Sequence, residues 1–209
     1  MTKDGADQRA VGDALPLVAA VVLTGGASRR MGRDKATASL AGRRLVDHVL
    51  DGLRDLPVVI VGPRIPVGRT DATFVREVPA GSGPCAAIVA GAAAADRPVV
   101  AVVATDLPYG APLAREAAVR LGAARSEVDA VMPVDGEGVP QPMCAAYRTE
   151  AIARFAREAG SVAGLSVRTM LAAIRVETWR PDGSEDALRD LDGPEDLRSA
   201  RARVATERN

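Results

Sequence analysis

Apolar residues fall into short continuous runs separated by longer stretches of mixed character. Val18–Leu23, Val58–Val61 and Pro98–Ala104 are runs of strand length, the pattern of strands buried on both faces. Phe74–Val78 and Asp129–Val134 are weaker strand candidates. Between them the spacing turns helical. In Leu45–Leu56, Leu45, Val46, Val49, Leu50 and Leu53 line one face. Gly83–Ala95 reads as an Ala-rich helix with Pro84 in its first turn, and Pro112–Leu121 as another helix. Further on, Pro142–Tyr147 predicts a strand, Thr149–Ala159 and Leu165–Ala173 helices, and Val176–Arg180 and Ala187–Leu191 strands. Pro194–Val204 predicts a final helix. Strands alternating with helices imply the α/β class: a three-layer doubly wound domain around a mostly parallel, mixed central sheet.

The chain has 209 residues, enough for one domain with a sizeable core. No repeat or linker divides it. Residues 1–16 are polar and rich in Ala and Gly, without the apolar stretch of a signal peptide, and read as a disordered lead-in to a single domain over 17–209. No apolar run reaches membrane-spanning length, so a cytoplasmic protein without membrane contact is expected.

The first strand ends in chemistry. Val21-Val-Leu-Thr-Gly-Gly-Ala-Ser-Arg-Arg-Met-Gly-Arg-Asp-Lys35 joins a buried run to a loop with Gly25, Gly26 and Gly32 and the cations Arg29, Arg30, Arg33 and Lys35. Glycines let a ligand touch backbone N–H groups, and the cations add positive charge, which suits a triphosphate. The spacing is not that of a P-loop: five residues separate Gly26 from Gly32, and the Lys comes three residues later. The Gly-x-Gly-x-x-Gly fingerprint of dinucleotide binding is absent.

Asp106 follows the strongest strand run, where a carboxylate at the carboxyl edge of an open sheet suits Mg²⁺ or, alternatively, caps the next helix. Asp190 and Asp192 are two apart and on a strand would share one face. With Glu195, Asp192 also fits a capping box for the last helix.

Leu23-Thr-Gly-Gly-x-Ser-x-Arg-Met-Gly-x-Asp-Lys35 resembles the signature of the molybdenum cofactor guanylyltransferases, nucleotidyltransferases with a glycosyltransferase-A-like fold. The usual family form has Ala at the position of Thr24. The resemblance covers residues 18–200. It implies transfer of GMP from GTP to the phosphate of molybdenum-loaded molybdopterin, with pyrophosphate released and Mg²⁺ as cofactor. Arg30, Lys35 and Asp106 would be catalytic. Leu23, Thr24, Gly25, Gly26, Lys35, Glu77, Gly83, Pro84 and Asp106 would contact the nucleotide. Asp106-x-Pro108 is similar to the family's metal motif, and Arg189-Asp-Leu-Asp-Gly-Pro-Glu-Asp-Leu197 resembles its Asn-x-Asn-Thr-Pro-Glu-Asp-Leu block, with Asp at both Asn positions. Asp190 would then be a second metal ligand and Asp192 a possible third. Val61 stands where the family commonly has Asn, Glu77 where it often has Asp, and Gln141-Pro142 where His-Pro is frequent, near the acceptor side. Cytidylyl or other nucleotidyl transfer, to molybdopterin or another phosphorylated acceptor, is also compatible with these residues, as is nucleotide binding without turnover.

Composition narrows the classes. Lys and Arg number 27 against 27 Asp and Glu, so no nucleic-acid footprint is present. Cys85 and Cys144 lack metal or redox spacing and read as buried small apolar residues. His48 is the only histidine and lies in a helical stretch, so no His-based triad or His-rich metal site can form. A phosphate acceptor needs no protein base, because its second pKa is about 6.

Overall fold

The computed structural model describes residues 17–25, 38–182, 185–189 and 191. In chain order the elements are β1 (Val18–Leu23), β2 (Ser39–Leu40), β3 (Arg43–Arg44), α1 (Leu45–Asp51), β4 (Val58–Val61), β5 (Thr73–Val75), α2 (Pro84–Ala94), β6 (Val99–Ala104), α3 (Ala111–Ala123), β7 (Ala130–Pro133), β8 (Cys144–Arg148), α4 (Thr149–Ala159), α5 (Val167–Ala172) and β9 (Val176–Trp179), followed by a 3₁₀ turn at Glu185–Leu188. Among the described residues seven strands form one sheet in the order β5-β4-β1-β6-β8-β7-β9, and β2 and β3 make a separate hairpin. β5, β4, β1 and β6 run parallel, with Leu23 opposite both Val61 and Ala104. Only β8 is reversed, pairing antiparallel with β6 and β7, while β9 runs parallel to β7.

Alternation along the strands divides the core into two layers. Val18, Ala20 and Val22 face Val46, Val49 and Leu50 of α1 and Leu113, Ala117 and Leu121 of α3. Ala19, Val21 and Leu23 face Cys85, Ile88 and Ala92 of α2, Phe155 of α4 and Met170 of α5. All six side chains of β1 are buried, as are all six of β6. Cover on both faces is why these strands read as unbroken apolar runs. α2 lies close on the sheet because its residues are small. A Cβ on Gly91 would stand 2.4 Å from Val21 Cγ1 and 3.0 Å from Val61 Cγ2.

The chain departs from the sequence expectation in three places. The helix expected over Leu45–Leu56 stops at Asp51. Gly52 there packs against the start of α3, where a Cβ would meet that of Ala111 at 2.5 Å, and Leu53 and Leu56 continue in hydrogen-bonded turns, still buried. The Phe74–Val78 strand shortens to Thr73–Val75, since the chain then enters a loop held by Glu77. The Ala187–Leu191 strand is not formed: Ala187 and Leu188 belong to the 3₁₀ turn. Among the described residues of that segment Leu188 and Leu191, three apart, are the buried ones, and this is a helical-turn spacing rather than the alternation of a strand. Leu191 packs with Leu40 and Leu45. The final helix expected over Pro194–Val204 lies outside the described residues.

Candidate active site

The chain turns back at β1: β4 and β5 lie to one side of it and β6 to the other. Open α/β sheets bind ligands at such a switch point, beyond the carboxyl ends of the strands. Two buried threonines tie those ends together. Thr24 donates its N–H (2.9 Å) and its Oγ1 hydroxyl (3.1 Å) to the Val61 carbonyl. Thr105 donates its N–H (3.0 Å) and Oγ1 (3.2 Å) to the Leu23 carbonyl. The edge from which Gly25 and Asp106 emerge is thus a cross-linked platform.

Gly62 completes it. At φ +142° it adopts a conformation that L side chains rarely take, and a Cβ would stand 2.3 Å from Thr24 Oγ1 and 3.0 Å from Gly25 N. Thr24 therefore fills the space that Gly62 leaves. Gly25 is exposed, and a Cβ there would meet nothing within 4 Å, so the start of the glycine-rich loop opens to solvent. Gly26, Arg29, Arg30, Gly32, Arg33 and Lys35 lie outside the described residues.

Asp106 follows Thr105 at the end of β6 and is half-buried. It is not the cap of the following helix: α3 begins at Ala111, its N-cap is Gly110, and no side chain caps it. Its backbone carbonyl accepts from Leu191 N–H at 3.0 Å, which brings the chain after the 3₁₀ turn to this edge. Asp190 and Asp192 lie outside the described residues, and because no strand forms through Ala187 and Leu188, alternation no longer assigns those carboxylates a shared face. No cluster of three His, Cys, Asp or Glu side chains suited to a metal occurs among the described residues. A half-buried carboxylate at the end of β6, next to the strand that leads into Gly25, fits Mg²⁺, which keeps its waters and takes one or two protein carboxylates together with substrate phosphates.

A second wall is the loop from Glu77 to Pro84. Glu77 is 9 % exposed, and its Oε1 accepts from Gly81 N–H at 2.8 Å. Ser82 N–H donates to Pro79 O (3.2 Å), and Gly164 N–H donates to Ser82 O (3.0 Å), which fastens this loop to the segment before α5. The loop ends at Gly83, the N-cap of α2, at φ +93°, and Pro84 starts the helix without any side-chain cap. The first-turn amides of Cys85 and Ala86 follow. Val78 projects from this loop 88 % exposed. Val61, by contrast, is a core residue: its side chain is buried in the α2 layer, so the position offers a nucleotide nothing but a backbone already bonded to Thr24.

The remaining candidates are structural. Burial pushes the Cys85 thiol up and the Cys144 thiol up to about 12, so neither is a thiolate near neutrality. Cys144 Sγ instead contacts the Gly110 carbonyl at 3.2 Å. His48 Nε2 lies 3.0 Å from the Leu40 carbonyl, and its ring meets Tyr109 edge-on. No helix among the described residues is long and apolar enough to cross a membrane.

Comparison with known proteins agrees with this geometry. Residues 20–176 match the family model of the MobA-like NTP transferase domain. The chain belongs to that family. It is a nucleotidyltransferase-type enzyme by that membership. A relative from Mycobacterium bovis named "Probable molybdenum cofactor guanylyltransferase" is 36% identical over 171 residues, covering 78% of this chain and 81% of its own. One of the same name from Natronomonas pharaonis is 33% identical over 205 residues, covering 88% and 97%. Among solved structures, molybdopterin-guanine dinucleotide biosynthesis protein A from Archaeoglobus fulgidus superposes with a TM-score of 0.67 at 24% identity, over 90% of this chain and 98% of that one. The 2-C-methyl-D-erythritol 4-phosphate cytidylyltransferase from Thermus thermophilus does so with 0.61 at 22%, over 88% and 98%. These two likenesses concern the fold.

Sequence reasoning had no signal for Thr105, whose role depends on pairing with a residue 82 positions away. Gly62 carried a weak one, a glycine ending a buried strand run.

Proposed function

We propose that this enzyme transfers GMP from GTP to the terminal phosphate of molybdenum-loaded molybdopterin and releases pyrophosphate, and that residues 17–209 act as one nucleotidyltransferase unit. The observation that supports the reading is that Gly25 and Asp106 each follow one of two adjacent parallel strands, β1 and β6, whose last paired residues are Leu23 and Ala104, in a chain whose relatives bear the guanylyltransferase name.

The acceptor phosphate oxygen forms a bond to the α-phosphorus of GTP. The bond from that phosphorus to the bridging oxygen breaks, and pyrophosphate leaves with the electron pair. The acceptor is already ionised, so the protein supplies positioning and charge. Leu23, Thr24 and the Gly25–Gly26 backbone line the nucleotide, and Arg30 and Lys35 hold its phosphates. Gly83 and Pro84 present the first-turn amides of α2 to it. Glu77 acts by holding that loop in place. Asp106 is the first ligand for Mg²⁺, with Asp190 second and Asp192 a possible third. Support for Asp190 is the Leu191-to-Asp106 hydrogen bond, which joins the neighbouring residue to the same edge. Mg²⁺, when bound, supplies positive charge to the departing pyrophosphate.

The test is a screen of GTP, CTP, ATP and UTP with molybdenum-loaded molybdopterin and Mg²⁺, following pyrophosphate and dinucleotide together. GTP is expected to be preferred. Equal efficiency with CTP overturns guanine selection, and nucleotide binding without pyrophosphate overturns the catalytic reading.

A further inference from the structure

The loop between β7 and β8 lies on the same edge as Asp106, on the side away from Gly25. β8 pairs with β6, with Cys144 opposite Val103, and the Ala104 N–H donates to the Met143 carbonyl at 2.9 Å. Gln141 therefore enters β8 from the edge at which Asp106 leaves β6. With the nucleotide loop on β1, an in-line displacement leaves this side for the second substrate.

Asp135 organises the loop. Its Oδ1 accepts from Glu137 N–H (3.0 Å) and Val139 N–H (2.9 Å). Its Oδ2 accepts from Gln141 Nε2 at 2.8 Å, and the same nitrogen donates to Val139 O at 3.3 Å. Arg180 adds two bonds from outside, to the carbonyls of Asp135 and Gly136, each 3.0 Å. Both partners of the Gln141 amide nitrogen can only accept, so the orientation of that amide is fixed by chemistry. Its two hydrogens are committed. Oε1, which takes no donor from the described residues, is left as an acceptor and nothing else.

We propose that Gln141 is a specificity-determining residue for the acceptor substrate: its Oε1 accepts from an N–H edge of a nitrogen heterocycle, the kind a pterin carries, and Asp135 is the positioning residue that keeps the oxygen outward. A substrate offering only carbonyl or phosphate oxygens at that point would face an oxygen it cannot bond. The proposal rests on the molybdopterin reading above.

Substituting Asp135→Asn inverts the arrangement. The Asn oxygen still accepts from Glu137 and Val139, and its NH₂ turns toward Gln141, which must rotate its own NH₂ outward. Gln141→Leu removes the acceptor. Both variants are assayed with GTP, Mg²⁺ and molybdenum-loaded molybdopterin, and molybdopterin binding to protein loaded with a non-hydrolysable GTP analogue is measured by ultrafiltration. Each single variant is expected to weaken acceptor binding and raise its KM by about tenfold, as the loss of one well-placed hydrogen bond implies, with the KM for GTP within about twofold of the parent. The double variant is expected to be no worse than Gln141→Leu, because both changes act through one oxygen; a purely structural Asp135 would add its own loss. Asp135→Asn leaves Gln141 in place, so it decides the matter even where Leu disturbs the loop. Unchanged acceptor affinity in Gln141→Leu, or in a folded Asp135→Asn protein, overturns the proposal while leaving the proposed function standing. A parent enzyme that neither binds nor uses molybdopterin overturns both.

Discussion

Glu77 separates two ways in which a carboxylate can serve a nucleotide site. Its side chain is 9 % exposed, and one oxygen accepts from Gly81 N–H at 2.8 Å. A bond of that kind to an ionised acceptor contributes about 1.5–3 kcal/mol, against about 0.5–1.5 for a neutral pair. Glu77→Gln keeps an amide oxygen able to accept from Gly81, so the difference between the two classes sets its cost at about 1 kcal/mol. Glu77→Ala removes the acceptor. Gly81 is exposed, so water takes over its N–H, and the expected cost is about 2 kcal/mol, less than the full penalty for a buried orphan. The loop leading to Gly83 and Pro84 then loses one of its ties, leaving the Ser82-to-Pro79 and Gly164-to-Ser82 bonds. The assays are urea denaturation and kcat/KM with GTP and CTP. As a clamp, Glu77 makes Gln a mild substitution for both nucleotides and Ala a loss shared by both. If Glu77→Gln keeps full stability yet loses GTP preference over CTP tenfold or more, the carboxylate reads the base directly, and the clamp argument fails.

Three further outcomes follow from the site and the core. Lys35→Ala is expected to lower turnover by about a hundredfold, close to 3 kcal/mol of transition-state stabilisation, with little change in Tm; a fully active variant removes the phosphate role. Asp106→Asn is expected to raise the Mg²⁺ concentration needed for half-maximal activity, and Asp190→Asn to do so less; an unchanged Mg²⁺ titration for Asp106→Asn rules it out as first ligand. Cys144 gives a pH dependence. Its folded thiol lies at about 12, above the ordinary value of about 8.5, so its contribution to stability is full below the lower value and is lost as pH rises toward the higher one, at about 1.4 kcal/mol per pH unit. Urea titrations of the parent and Cys144→Ala between pH 8 and 10.5 are expected to diverge on this account, the parent falling more steeply, and parallel curves contradict the burial argument.

Much of the fold was legible because burial on both faces writes strands as continuous apolar runs. β1 and β4 coincide with the runs Val18–Leu23 and Val58–Val61. The direction of β8 was not legible, since an apolar run covered on both faces looks the same in either orientation. The 3₁₀ turn at Glu185–Leu188 was misread because a short segment with few apolar residues satisfies two periods, and only the burial of Leu188 and Leu191 chooses between them. In the site, a glycine pair after one strand and a carboxylate after another marked Gly25 and Asp106. Sequence alone left Asp106 between metal ligand and helix cap; α3 starts at Ala111 with Gly110 as its N-cap, so Asp106 is not that cap. Thr105 and Asp135 stayed hidden, and Gly62 was only weakly marked, because each acts by cross-strand or cross-loop geometry. Thr24 bonds a carbonyl 37 residues away, and Gly62 matters only because Thr24 is there.

The central claim is transfer of the α-phosphoryl group with its nucleoside, and the fate of the label tests it most directly. The enzyme is incubated with molybdenum-loaded molybdopterin, Mg²⁺ and GTP labelled at either the α or the γ phosphorus. The account requires the α label to appear in the dinucleotide product and the γ label in pyrophosphate, in equal amounts. Label from the γ position in the acceptor or in inorganic phosphate, with none from the α position in a dinucleotide, would contradict it.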